Sequence, residues 1–132
     1  MDAKELLKRY AAGERDFSVI NLEEADLSGA NLSGANLSRA NLLAANLSEA
    51  NLSGANLSGA NLSYAKLGLA RFIGTNLEGA NVTDADIIGA TFENANLKGS
   101  YLSDFGYINN ALFQNTIVGD GRIIVGPEII HG

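Results

Sequence analysis

The sequence predicts an all-β solenoid, a four-sided parallel β-helix preceded by a short capping α-helix. Three observations lead there. From Ala25 to Ser100 every fifth residue is small: fourteen Ala, with Thr75 and Ser100. Two places after each stands a bulky apolar residue: Leu27, Leu32, Leu37, Leu42, Leu47, Leu52, Leu57, Leu62, Leu67, Phe72, Leu77, Val82, Ile87, Phe92, Leu97 and Leu102. The last place of the unit is Gly at 29, 34, 54, 59, 74, 79, 89 and 99.

A period of five fits neither regular element. On an α-helix, at ~100° per residue, five residues advance ~500°, so successive Leu wander ~140° around the axis and form no stripe. On a flat strand an odd repeat flips Leu to the opposite face each time. The chain must turn once per unit. Small, polar and Leu are then three extended residues pointing in, out and in, and the next two make the corner. A type II turn needs positive φ at its second central residue, which Gly supplies. Glu24, Arg39, Ala44, Glu49, Tyr64, Leu69, Asp84, Asn94 and Asp104 hold that place elsewhere and accept positive φ less readily, so two turn populations are expected. With right-angle corners, four units close a coil of 20 residues, and coils stack at ~4.8 Å. Leu burial, at ~1.5–3 kcal/mol each, is the main stabilising contribution. Anything larger than Ala in the small place overpacks the interior.

Each end departs from the period. Asp2 to Ala12 reads as a helix with Leu6, Leu7, Tyr10 and Ala11 on one face, Asp2 as N-cap with Glu5 three later, and Gly13 as stop. Its expected role is to cover the first open coil, because a bare strand edge invites aggregation. Strict register puts Phe105 and Asn110 in the small place, which a packed interior would not accept. One inserted residue between Asp104 and Ala111 restores the pattern, predicting a bulge at about Phe105 to Asn110. It also brings Phe113 into one column with Phe72 and Phe92, predicting a Phe ladder. After Gly119 the repeat stops, and Arg122 to Val125, Gly126-Pro127 and Glu128 to Ile130 read as one or two short strands around a turn. Two roles stay open for them: a cap on the last coil or a dimer contact.

Tandem Ala-(Asp/Asn)-Leu-x-x over about residues 15–119, from Asp16-Phe17 and Asn21-Leu22 onward, resembles the pentapeptide repeat proteins. The resemblance implies a right-handed quadrilateral parallel β-helix, a fold especially frequent in cyanobacteria. The expected organisation is a capping helix over residues 1–14, about five coils over 15–119, and a C-terminal cap or tail over 120–132. Some members pair through their C-terminal ends, so the resemblance implies either a monomer or an end-to-end homodimer through residues 120–132.

Composition narrows function by exclusion. The chain has no Cys, so no disulfide, thiolate metal site or cysteine nucleophile is available. Its net charge of −6 opposes binding to nucleic-acid phosphates. No apolar run approaches the ~20 residues that span a bilayer. The charged stretch from Met1 to Tyr10 carries no signal-peptide core, so a cytoplasmic location is expected, and the Asn-Leu-Ser and Asn-Val-Thr acceptor sequences read as by-products of the repeat. The one His, His131, is next to the end. The Ser residues after Leu have no base partner, Glu23 and Glu24 are adjacent rather than facing, and Gly119-Asp120-Gly121 reads as a turn. No enzyme and no cofactor or metal site are expected.

What remains is a surface. One side, residues 20–24, 40–44, 60–64, 80–84 and 100–104, carries Glu23, Glu24, Asp84 and Asp104 and no basic residue, with an uncharged stretch from Asn41 to Tyr64. The leading expectation is a non-catalytic scaffold that presents a side of the rod to an unknown protein partner, without direct nucleic-acid or membrane binding. The alternative, implied by the resemblance, is mimicry of DNA: several relatives resist fluoroquinolones by occupying the DNA site of gyrase with an acidic rod. A third reading, ice binding by the outward Asn column, is weak, because ranked Thr-x-Thr is missing. The Asn column itself is expected to maintain the fold.

Overall fold

The computed structural model describes residues 1–131. The elements are α1 (Ala3–Ala11), three-residue strands β1 (Arg71–Ile73), β2 (Thr91–Glu93), β3 (Asn96–Lys98) and β4 (Leu112–Gln114), then β5 (Thr116–Gly119), β6 (Arg122–Ile124) and β7 (Glu128–Ile129). Elsewhere each side of the coil is so short that it pairs through single parallel bridges, such as Asp16↔Asn36, Asn21↔Asn41, Asp26↔Asn46 and Asn31↔Asn51. Bridges recur every 20 residues on four columns, which makes a quadrilateral parallel β-helix. We call the side containing residues 15–19 the first, and those with 20–24, 25–29 and 30–34 the second, third and fourth.

The interior is the one the repeat requires. Leu27, Leu32, Leu37, Leu47, Leu52 and Leu57 are buried, with the Ala column beside them. Where the small place holds a hydroxyl, a backbone carbonyl accepts from it: Thr75 Oγ1 donates to Leu52 O at 2.7 Å and Ser100 Oγ to Ala80 O at 3.0 Å. That removes the penalty for burying a polar group. The Phe ladder is present. Phe72 and Phe92 stack at 4.6 Å with 1° between planes, and Phe92 and Phe113 at 4.9 Å with 3°. The register Phe72↔Phe92↔Phe113 contains the inserted residue.

The corners form one population, not two. At both Gly and other residues φ is positive: 66° at Gly59 and 71° at Gly79, 55° at Arg39 and 62° at Glu49. Most corners close through the same turn, as where Ala40 N–H donates to Leu37 O at 3.1 Å. Coil-to-coil bonds such as Arg39 N–H to Ser58 O, 2.9 Å, hold a left-handed residue that its own preference resists. Asp104 is the exception and sits in a 3-10 turn over Leu102–Asp104.

That turn also begins the bulge. Tyr64 N–H bonds to Thr83 O, 19 residues on, whereas Asp84 N–H bonds to Asp104 O, 20 on. Gly106 N–H still bonds to Ala85 O at the ordinary spacing of 21, while Ile87 N–H bonds to Tyr107 O, 20 on rather than 19, so the extra residue is spread over Leu102 to Tyr107 and overlaps the expected Phe105 to Asn110. Ile108 to Ala111 already close an ordinary corner, with φ 63° at Asn110. Phe105, expected to be excluded, is buried, its ring 6.3 Å from Phe92 and tilted by 53°. Once the turn releases this residue from the corner, burying its ring is favourable.

At the N-terminus, Glu5 N–H donates to Asp2 Oδ1 at 2.8 Å, the expected cap. The seated face differs from expectation: Ala3, Leu6 and Tyr10 pack on the first coil, while Leu7 and Ala11 are exposed. Tyr10 decides this, because its hydroxyl donates to Ser33 O at 2.7 Å and the Arg15 guanidinium lies 3.7 Å over its ring. At the other end the tail reverses direction. β6 pairs antiparallel with β5, and β7 antiparallel with β4, so two sides of the last coil carry a strand that cannot continue the parallel stack.

Phe92→Ala is expected to cost about 3–5 kcal/mol in urea unfolding, since it removes a buried ring with stacked neighbours on both sides. Phe92→Leu should cost less than half of that, and an equal loss would show that stacking dominates over volume.

Candidate functional site

The second side begins from residues whose backbone is fixed by the fold and whose side chains are not. Glu24 and Asp84 are both corner residues, with φ 59° and 55°, and both are exposed. They belong to one column, Glu24, Ala44, Tyr64 and Asp84, linked through Glu24 N–H to Leu43 O, Ala44 N–H to Ser63 O and Tyr64 N–H to Thr83 O. Glu23 precedes the corner, exposed, its N–H bonded to Asn21 Oδ1 at 3.1 Å. Three coils separate Glu24 from Asp84, roughly 14 Å at ~4.8 Å per coil. Salt screens charges over ~8–10 Å, so the carboxylates act as two islands rather than one field.

Asp104 does not complete the column. The extra residue shifts it into line with Thr83, and Tyr101 N–H donates to its Oδ2 at 2.7 Å. This carboxylate is half-buried and bound into the 3-10 turn. The fold thus brings Glu23 and Glu24 together at one end and Asp84 and Asp104 at the other, with the exposed ring of Tyr64 in the gap.

The outward Asn column serves the backbone. Asn46 Oδ1 accepts from Ser48 N–H at 3.0 Å, Asn56 Oδ1 from Ser58 N–H at 2.9 Å, and Asn61 Oδ1 from the Ser63 hydroxyl at 2.6 Å. Asn41 Nδ2 also donates to Asn21 Oδ1, one coil away, at 3.2 Å. Asp16 and Asp26 take the same part. The Ser28 hydroxyl, and then the Ser28 N–H, hold the Asp26 carboxyl below its usual range, and Ser18 does so for Asp16.

Chemistry finds little to work with. His131 is exposed, and among the described residues no cluster of His, Cys, Asp and Glu could hold a metal. A shallow groove of ≈ 230 Å³ between Tyr101 and Arg122 falls below the ~300–1,000 Å³ of small-molecule sites. No described helix is long and apolar enough to cross a membrane. Sequence reasoning missed the third side, where Leu69, Ile88 and Tyr107 are exposed and Tyr64 holds the shared corner. Its signal was available, in apolar residues at outward places that Ser, Gly, Asn and Asp usually fill.

A solenoid with this closed interior defines a repeat protein. The family model of pentapeptide repeats matches residues 20–59, 40–79 and 65–104, more than half of the chain. Among solved structures, a pentapeptide repeat protein from Nostoc is 40% identical, with a TM-score of 0.72 over 74% of this chain and 80% of its own. The Rfr23 pentapeptide repeat protein from the cyanobacterium Cyanothece is 30% identical, with a TM-score of 0.60 over 89% and 96%. No curated protein matches. The chain belongs to the pentapeptide repeat family, and its fold is that family's right-handed β-helix.

Because Asp16 and Asp26 bind protons less readily folded than unfolded, their contribution is present above about pH 4 and is lost as pH falls through their lowered values. Asp26→Asn should lower the urea midpoint slightly at pH 7, where the ionised carboxyl contributes, and flatten its fall between about pH 4 and 2. An acid limb as steep as that of the parent would refute this.

Proposed function

We propose that the protein is a non-catalytic interaction module that holds a partner protein against one side of a rigid rod. One observation carries the reading: inward places and the backbone are consumed by packing and hydrogen bonding, while exposed corner side chains such as Glu24, Tyr64, Leu69 and Asp84 make no hydrogen bond within the rod. Glu24 and Asp84, with Glu23 next to the first, favour a partner with basic groups. Asp104 contributes through the turn it holds more than through its charge.

The alternative, a DNA mimic inhibiting an enzyme such as gyrase, has less support. Duplex DNA carries a charge every ~1.7 Å of its axis, and this side leaves roughly 14 Å between its islands. In a gyrase supercoiling assay, micromolar protein is expected to leave the product distribution unchanged, and inhibition would transfer the reading to mimicry. For the module, affinity capture from the native host followed by mass spectrometry should enrich a defined protein. Glu23→Lys with Glu24→Lys and Asp84→Lys should reduce that enrichment several-fold. Capture of nothing specific would remove the module reading, and capture unmoved by the reversal would make the carboxylates solubility features alone.

A further inference from the structure

We infer that the third side is a docking surface for an apolar helix with basic flanks, supplied by a partner protein. This rests on the module reading above and names its partner class. Over three successive coils this side places Tyr64 and Leu69 at its two corners, Ile88 in the next coil and Tyr107 in the one after. Their exposures are 60%, 58%, 40% and 64%. Leu69 N–H bonds to Ile88 O at 2.9 Å, and Tyr107 pairs with Asp86, two places before Ile88. Leu69, Ile88 and Tyr107 thus step across the side, one coil each.

Nothing in the fold asks for these side chains. Ser28 and Ser48 occupy the place of Ile88 in earlier coils, Asp26 and Asn46 the place of Tyr107, and Gly29 the place of Leu69. By contrast, Ile73 on the fourth side is half-buried, and the first side exposes only Val19 among its large apolar residues before the C-terminal strands. Exposed Tyr and aliphatic groups clustered at neighbouring outward places mark a contact surface, and Tyr is among the residues that dominate binding energy.

The rim sets the partner's charge. Around this side and its corners stand five carboxylates, Glu24, Asp26, Glu49, Asp84 and Asp86, against one ammonium, Lys66. None of them is in an ion pair among the described residues. An apolar centre in an acidic frame complements an apolar stripe flanked by Lys or Arg. Geometry favours a helix along the rod. The side is about 10 Å wide, from three extended residues, which matches a helix diameter, and coils at ~4.8 Å lie close to the ~5.4 Å helical pitch. One turn can then meet one coil.

The test uses the full chain and a synthetic Leu/Lys amphipathic peptide of about 18 residues, five helical turns. The peptide carries one Trp, and the protein has none, so the Trp anisotropy reports the peptide alone. In the face variant, Tyr64→Asn, Leu69→Asn, Ile88→Ser and Tyr107→Asn install residues that the fold accepts in equivalent places and leave every charge intact. A control variant, Val19→Asn with Ile123→Ser, removes exposed apolar groups elsewhere. The parent and the control should bind with equal affinity and the face variant at least ten-fold more weakly, with unchanged circular dichroism. Equal binding by all three proteins, or equal weakening of both variants, would overturn the inference. So would a parent that sediments as a dimer and a face variant that sediments as a monomer, since the occupant would then be a second copy. Side-specific peptide binding without any captured host protein would remove the module reading and keep the surface chemistry. A captured protein with no side-specific peptide binding would remove only this inference.

Discussion

Hydrogen bonding between successive coils is the constraint on which the rest of the molecule depends. Along each side the backbone N–H and C=O groups point along the rod, as where Leu42 N–H meets Asn61 O at 2.8 Å and Asn41 N–H meets Ile20 O at 2.9 Å. Identical places in the unit are then forced into register one strand spacing apart. Like side chains stack on like, which is why the Phe rings lie nearly parallel at 4.6 and 4.9 Å. The same register leaves the small place no freedom to grow, because an enlarged residue meets its counterparts above and below as well as its own layer.

The ladder also explains the tolerance at the corners. A lone Arg or Leu at positive φ is unfavourable by about 1–2 kcal/mol, yet Arg39 and Leu69 adopt the geometry that Gly29 does. Hydrogen bonds to the coils on either side over-determine the turn, so the cost is absorbed by neighbours. This tolerance has a functional side. Corner residues can be chosen for what they present to solvent, and Glu24, Tyr64, Leu69 and Asp84 are among the places where the chain departs from small, polar filler.

The proposed module depends on which outward groups lie together. Acidic residues that share a side in sequence bookkeeping become two islands on the rod, and one of them is bound into a turn. The corner column with Glu24 and Asp84 borders the third side as much as the second. Asp84 therefore stands beside the exposed Leu69, Ile88 and Tyr107, while Glu24 lies two coils from Leu69.

The period of five, with its alternation of small and bulky residues, was enough by itself to determine a four-sided coil, its buried columns and the Phe ladder, because each follows from local geometry repeated without change. The capping signal at Asp2 and the end of the repeat after Gly119 were legible as departures from that period. Only the tertiary structure decided where the repeat bends its own rule. The extra residue could have been absorbed anywhere between Asp104 and Ala111 by pattern alone, and the chain spreads it from the turn at Leu102–Asp104 to Tyr107, where it lets Phe105 reach the interior beside Phe92. The seat of α1 was likewise undecided, since Leu6 and Leu7 are equally apolar and the contact of Tyr10 with Ser33, 23 residues away, selects between them. The apolar residues of the third side were visible one by one at outward places, and the structure fixed how far each is exposed and that Leu69, Ile88 and Tyr107 lie on adjacent coils across the inserted residue.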